Sequence, residues 1–140
     1  MKENSKIFTL EEANALIPEI HRQLTLLIQK KEAYARRHDE LFMHELLTQA
    51  EHEAGIRPDM CGLESDIQGL ESTIADLEKD IRSFREMGCL LRNINLACVD
   101  FPARISGEII YYCWRIGESE IRFYHSNQNG VMERIPILDK

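Results

Sequence analysis

Asp100, Cys113, Arg115, Glu118 and His125 fall within one short stretch of a 140-residue chain. A thiolate, an imidazole and a carboxylate form a mixed ligand set that suits a borderline metal ion such as zinc. Cys113 and His125 lie on successive expected strands, so a hairpin turning at Gly117 would bring sulfur and imidazole together, with Glu118 at the turn. Asp100 is the carboxylate available to join them. Arg104, Arg115 and Arg134 offer a second chemistry, because guanidinium groups bind carboxylates and phosphates in a fork. They stand as candidate ligand-binding residues together with Glu118. A bland reading lies beside each of these. Cys113 and Trp114 also suit a core, His125 a hydrogen-bonded sheet edge, and Arg115 with Glu118 or Arg104 with Asp100 an internal ion pair.

Other chemistries find less support. Cys61, Cys89, Cys98 and Cys113 are spaced by 28, 9 and 15 positions, with no Cys-x-x-Cys pair, so zinc held by cysteines alone is not expected. The helices contain no Glu-x-x-His pair of the di-iron kind. Glu40, His44 and His52 share a helix face and read as solvated surface. No Gly-x-Ser-x-Gly elbow and no Gly-rich phosphate loop occurs, so no reaction and no cofactor can be assigned.

The elements that must position these residues follow from periodicity. Thr9 followed by Glu12 forms a capping box that starts a helix near Leu10. Ala13, Leu16, Ile17, Ile20, Leu24, Leu27 and Ile28 then repeat at three- and four-residue steps. Pro18 falls inside this stripe and is expected to kink the helix rather than stop it. The helix is expected to span 10–54, with a loop over 55–62 that contains Gly55 and Pro58. A second helix over 63–87 carries Leu63, Ile67, Leu70, Ile74, Leu77, Ile81 and Phe84 in coiled-coil register and stops at Gly88. Its flanks are acidic at Glu64, Asp66, Glu71, Glu78 and Asp80, so self-pairing would set acid against acid. Lys30, Lys31, Arg36 and Arg37 of the first helix supply the basic partner in an antiparallel hairpin. Residues 10–28 extend past the end of such a hairpin, and must bury their stripe against the C-terminal segment or a second copy.

After Gly88 the pattern changes to strand formers at 94–101, 108–116, 120–125 and 134–138, with turns at Pro102, Ser106-Gly107, Gly117 and 127–130. The expected fold class is α+β in one domain: a long antiparallel helical hairpin, then a small, mainly antiparallel sheet packed on the start of the first helix.

The net charge of −7 is uneven. Residues 1–87 carry 11 basic and 18 acidic groups, whereas residues 88–140 carry 6 of each. An acidic surface repels phosphate backbones, so nucleic acid and anionic membranes are not expected partners. The absence of a long apolar run and of a signal-peptide core points to a cytoplasmic protein.

Two motifs add a resemblance. Phe8-Thr9-Leu10-Glu11-Glu12-Ala13-Asn14 and Cys113-Trp114-Arg115-Ile116-Gly117-Glu118 occur in the order found in the uncharacterised bacterial family called domain of unknown function 2203. The second motif is preceded by Val99-Asp100-Phe101-Pro102-Ala103 and followed by His125, and the chain resembles that family over nearly its whole length. Tyr124 departs from the family's usual Trp, and Gln128, Val131 and Glu133 stand in a tail that more often reads Asp, Phe and Gly. The resemblance implies relatives but no activity.

Two functional expectations follow. The first is a non-enzymatic interaction or adaptor protein, a homodimer or other homo-oligomer that self-associates through its helices and takes a further protein partner. The second is a metal- or small-anion-binding domain, including an enzyme among its forms, centred on Cys113, Arg115, Glu118 and His125.

Overall fold

A computed structural model describes residues 6–57, 60–126 and 133–138. Helix α1 spans Leu10–Glu53 and α2 spans Met60–Glu86. Five strands follow: β1 Leu90–Asn93, β2 Cys98–Ile105, β3 Glu108–Arg115, β4 Phe123–Ser126 and β5 Ile135–Pro136. They form one antiparallel sheet in the order β1-β2-β3-β4-β5. The α+β fold class expected from the sequence is the one observed. The expected stop at Pro58 and the turn at 127–130 lie outside the described residues.

The chain divides into two compact units, one of residues 26–80 and one of residues 1–25 with 81–140. In the first, α1 and α2 run antiparallel. Lys30 Nζ lies 2.7 Å from Asp80 Oδ2 and 3.0 Å from Asp76 Oδ2, and His44 Nδ1 lies 2.8 Å from Asp66 Oδ2. The Lys30 pKa is raised by the hydrogen bonds its ammonium donates to Asp80 and Asp76. Basic α1 against acidic α2 is the pairing the charge pattern predicts. These exposed pairs choose the partner more than they hold it, at about 0.2–1 kcal/mol each.

The second unit holds the site. The capping box forms as expected: Thr9 N–H donates to Glu12 Oε1 at 3.0 Å, and Glu12 N–H donates to Thr9 Oγ1 at 3.1 Å. α1 continues through Pro18 without a break. Its apolar stripe is buried at Ala13, Ile17, Ile20 and Leu24. The sheet provides the cover, which answers the question the sequence leaves open. Phe8 meets Phe101 edge-on at 5.3 Å between ring centroids, His21 meets Trp114 at 6.4 Å, and Ile121 N–H donates to Asn14 Oδ1 at 2.8 Å. Strand alternation sets this face: Val99, Phe101 and Ala103 of β2 with Ile110 and Trp114 of β3, all buried.

Several expectations about the strands need correction. β1 at Leu90–Asn93 was not expected, because four residues ending in Arg92-Asn93 carry no alternation. β2 begins at Cys98 rather than Ile94, since residues 94–97 turn and Ala97 has φ 53°. Pro102 does not end β2 but sits inside it, opposite Tyr111. The reason is local. The Pro102 carbonyl accepts the Phe8 N–H at 2.8 Å on the edge beyond the end of β1, so the missing proline N–H points to that edge and costs no bond to β3. β4 and β5 are also shorter than the expected runs. The Ser106-Gly107 turn is as expected, with φ 53° and 81°, the two positive values of a tight hairpin that matches strand twist.

Trp114 is fully buried and its Nε1–H donates to the Glu118 carbonyl at 2.9 Å. Trp114→Ala is expected to cost about 3–5 kcal/mol in denaturant unfolding. Ile105→Ala, at an exposed strand end, is expected to stay within about 0.5 kcal/mol in the same measurement.

Candidate metal centre

The sheet face opposite α1 would be expected to be wet, yet part of it is buried. By alternation it carries Cys98 and Asp100 of β2, Tyr111 and Cys113 of β3, and Phe123 and His125 of β4. Arginines roof it: the Arg92 guanidinium lies 5.2 Å over the Tyr111 ring and that of Arg134 lies 4.2 Å over Phe123.

Under this roof Asp100 is completely buried. Its Oδ2 accepts from Arg92 Nε at 2.8 Å and lies 2.7 Å from His125 Nε2. Oδ1 is buried with no hydrogen-bond partner, an arrangement that is costly unless something else meets it. Cys113 stands directly opposite Asp100 in the β2–β3 register. His125 is 4% exposed and stacks on Tyr111, with ring centroids 5.5 Å apart. One ligand atom from each of Asp100, Cys113 and His125 lies within 4.8 Å of the other two. The three residues named from the sequence as metal ligands are therefore brought together.

A second cysteine stands beside Cys113. Cys98 Sγ lies 3.6 Å from Cys113 Sγ, and both are fully buried. The hydrogen bond from Cys113 holds the Cys98 thiol below the ordinary range, against the opposing effect of burial and with help from Arg115. The same hydrogen bond, together with burial, pushes Cys113 up. Of the two, Cys98 is the readier thiolate. Cys89 is different, since burial pushes its thiol up to about 12 and its sulfur only contacts the Phe84 carbonyl.

The neighbouring turn is held by Glu118. Its Oε1 accepts from the Arg115 N–H at 2.8 Å and from Arg134 Nη2 at 2.9 Å, while Oε2 lies 2.9 Å from Arg134 Nη1. Arg134 Nη2 also donates to the Cys113 carbonyl at 3.1 Å, which ties this fork to the strand bearing the thiol. Gly117, with φ +100°, permits the tight turn that puts Glu118 there.

Other sequence-based expectations are corrected by this geometry. Asp100 pairs with Arg92 and His125, not with Arg104. Glu118 takes the Arg115 backbone and the Arg134 side chain, not the Arg115 side chain. Arg104, Arg115 and Arg134 do not line one pocket. Arg115 stands opposite Cys98, six residues from Arg104 along β2, or about 20 Å at the strand rise. Arg104 instead lines a groove with Lys6 and Tyr111. Arg92 and Cys98 are the residues missed. Cys98 was accessible by parity with Asp100, whereas Arg92 depended on the unexpected strand β1.

The family of uncharacterised conserved proteins DUF2203 matches residues 6–137. The chain belongs to the DUF2203 family. No curated protein and no solved structure matches it. The DUF2203 match takes in α1, α2 and all five strands, and with them every residue of the Asp100–Cys113–His125 cluster.

The Glu118 clamp yields a pH prediction. Burial raises the Glu118 carboxyl, but the Arg134 fork and the Arg115 N–H outweigh it, so its net shift is downward from 4.5. A carboxylate lowered on folding stabilises above its unfolded value and loses that contribution as pH falls through the folded one. Glu118→Gln is expected to lower stability by about 1–3 kcal/mol at pH 7. The gap from wild type, read as Tm from pH 7 to pH 3, is expected to close on acidification.

Proposed function

We propose that this protein is a metal-binding domain that holds one divalent ion, zinc by preference, on Asp100, Cys113 and His125, with Cys98 shifting in from its place beside Cys113 as the fourth ligand. The observation that carries this reading is the buried, mutually close ligand set around an Asp100 oxygen that has no other partner. Sulfur, imidazole and carboxylate together favour zinc over calcium or magnesium, which take oxygen ligands. Two sulfurs at about 2.3 Å on a tetrahedral ion stand about 3.8 Å apart. The observed separation of 3.6 Å needs little adjustment. His125 would exchange its hydrogen bond to Asp100 for the ion, and Arg92 would remain as the outer partner that orients the carboxylate.

The proposed role is structural or regulatory rather than catalytic. Four protein ligands fill a tetrahedral ion, and the buried setting leaves no position for a reacting water. The free thiols of Cys98 and Cys113 suit a reducing compartment, in keeping with the cytoplasmic location expected from the sequence.

Native mass spectrometry of protein purified without chelator is expected to show one zinc per chain. Cys113→Ser and His125→Ala are each expected to reduce zinc affinity by at least about tenfold, while Cys89→Ser leaves it unchanged. Wild-type protein that takes up no stoichiometric zinc, and whose Tm does not rise on zinc addition, would exclude the reading.

A further inference from the structure

The 26–80 unit leaves a different feature unexplained. Phe42, Met43, Leu46 and Leu47 of α1 are all exposed, Phe42 to 55% and Leu47 to 60%. At 100° per residue they cover one continuous face, away from the side that carries the His44 contact to α2. Beside it lies a groove of about 380 Å³ lined by Met43, Leu47, His44 and Asp66. Four large apolar side chains in one patch exceed the scattered exposure normal for a free surface.

The residues flanking the patch indicate what covers it. Arg36, Asp39, Met43, Leu46, Ala50 and Glu53 follow alternating three- and four-residue steps along this face, and all are exposed. The apolar centre therefore has Arg36 as the outermost group at one end, with Asp39 inside it, and Glu53 as the outermost group at the other. A second copy laid antiparallel about a two-fold axis between Met43 and Leu46 meets this pattern with its complement. Met43 then faces Leu46 of the partner subunit, and Phe42 faces Leu47 of the partner subunit. Arg36 faces Glu53 of the partner subunit, and the two-fold axis repeats each contact. A parallel copy would stack Arg36 on its own kind, and likewise Asp39 and Glu53. Opposite charge at the two ends thus selects both the occupant and its direction.

We propose that the protein forms a two-fold symmetric dimer through this α1 face, centred on Phe42–Leu47 and closed at each end by an Arg36–Glu53 pair. Residues 10–24 take no part in this surface, because they bury their stripe under the sheet within one chain. It is also independent of the metal centre.

Sedimentation velocity of the full chain at high micromolar concentration is expected to give twice 16.3 kDa. Phe42→Glu combined with Leu46→Glu is expected to give a single-chain mass with an unchanged helical circular dichroism spectrum. Arg36→Glu and Glu53→Arg are each expected to weaken the dimer about tenfold, since each sets two like-charge pairs in place of attractive ones. The double exchange is expected to restore it. A single-chain mass at every concentration would overturn the proposal. Failure of the double exchange to restore a dimer that both single changes weaken would overturn the antiparallel arrangement.

Discussion

A carboxylate with no exposed surface is the constraint around which the sheet is built. Asp100 sits mid-strand in β2, where water cannot reach it. Desolvating a charge there costs several kcal/mol unless partners stand in for water. Those partners come from both sides: Arg92 from β1 and His125 from β4, with Cys113 directly opposite on β3. Four of the five strands thus take part in accommodating one side chain. Any slip of register by one residue would put it on the apolar face beneath α1.

The two sheet faces meet that constraint differently. The α1 face is ordinary packing, with Phe101 against Phe8 just ahead of the helix and Trp114 against His21 within it. The other face is closed by arginines, whose guanidinium groups cover aromatic rings while their charges serve the buried Asp100 and the half-buried Glu118. Arg134 illustrates the economy of this device, for it forks onto Glu118, caps the Cys113 carbonyl and covers Phe123. A face shielded in this way can keep thiols, an imidazole and a carboxylate dry without a second layer of helices. Dryness is what raises the strength of any interaction among them.

Much of this was legible beforehand, and the failures have a common physical cause. The capping box at Thr9, the helix stop at Gly88, the Ser106-Gly107 turn and the opposite facing of Cys113 and Trp114 all depend on residues close in sequence. Short-range sterics and periodicity decide such features. The misreadings of Pro102 and of strand β1 involve partners far along the chain. Pro102 is tolerated because Phe8 takes its carbonyl, and β1 exists because β2 offers it an edge.

The sequence by itself determined the α+β class, the two amphipathic helices with complementary charge, and the strand parity that sends Cys113 and Arg115 to one side and Trp114 to the other. Each is a periodic property and needs only the local geometry of helix or strand. Tertiary structure alone decided which arginine serves which acid, that Cys98 stands beside Cys113, and that residues 10–24 are covered within one chain. It also left the Phe42–Leu47 face uncovered. Side chains of similar chemistry compete for each partner, and only the register of distant strands and the reach of packed helices select among them.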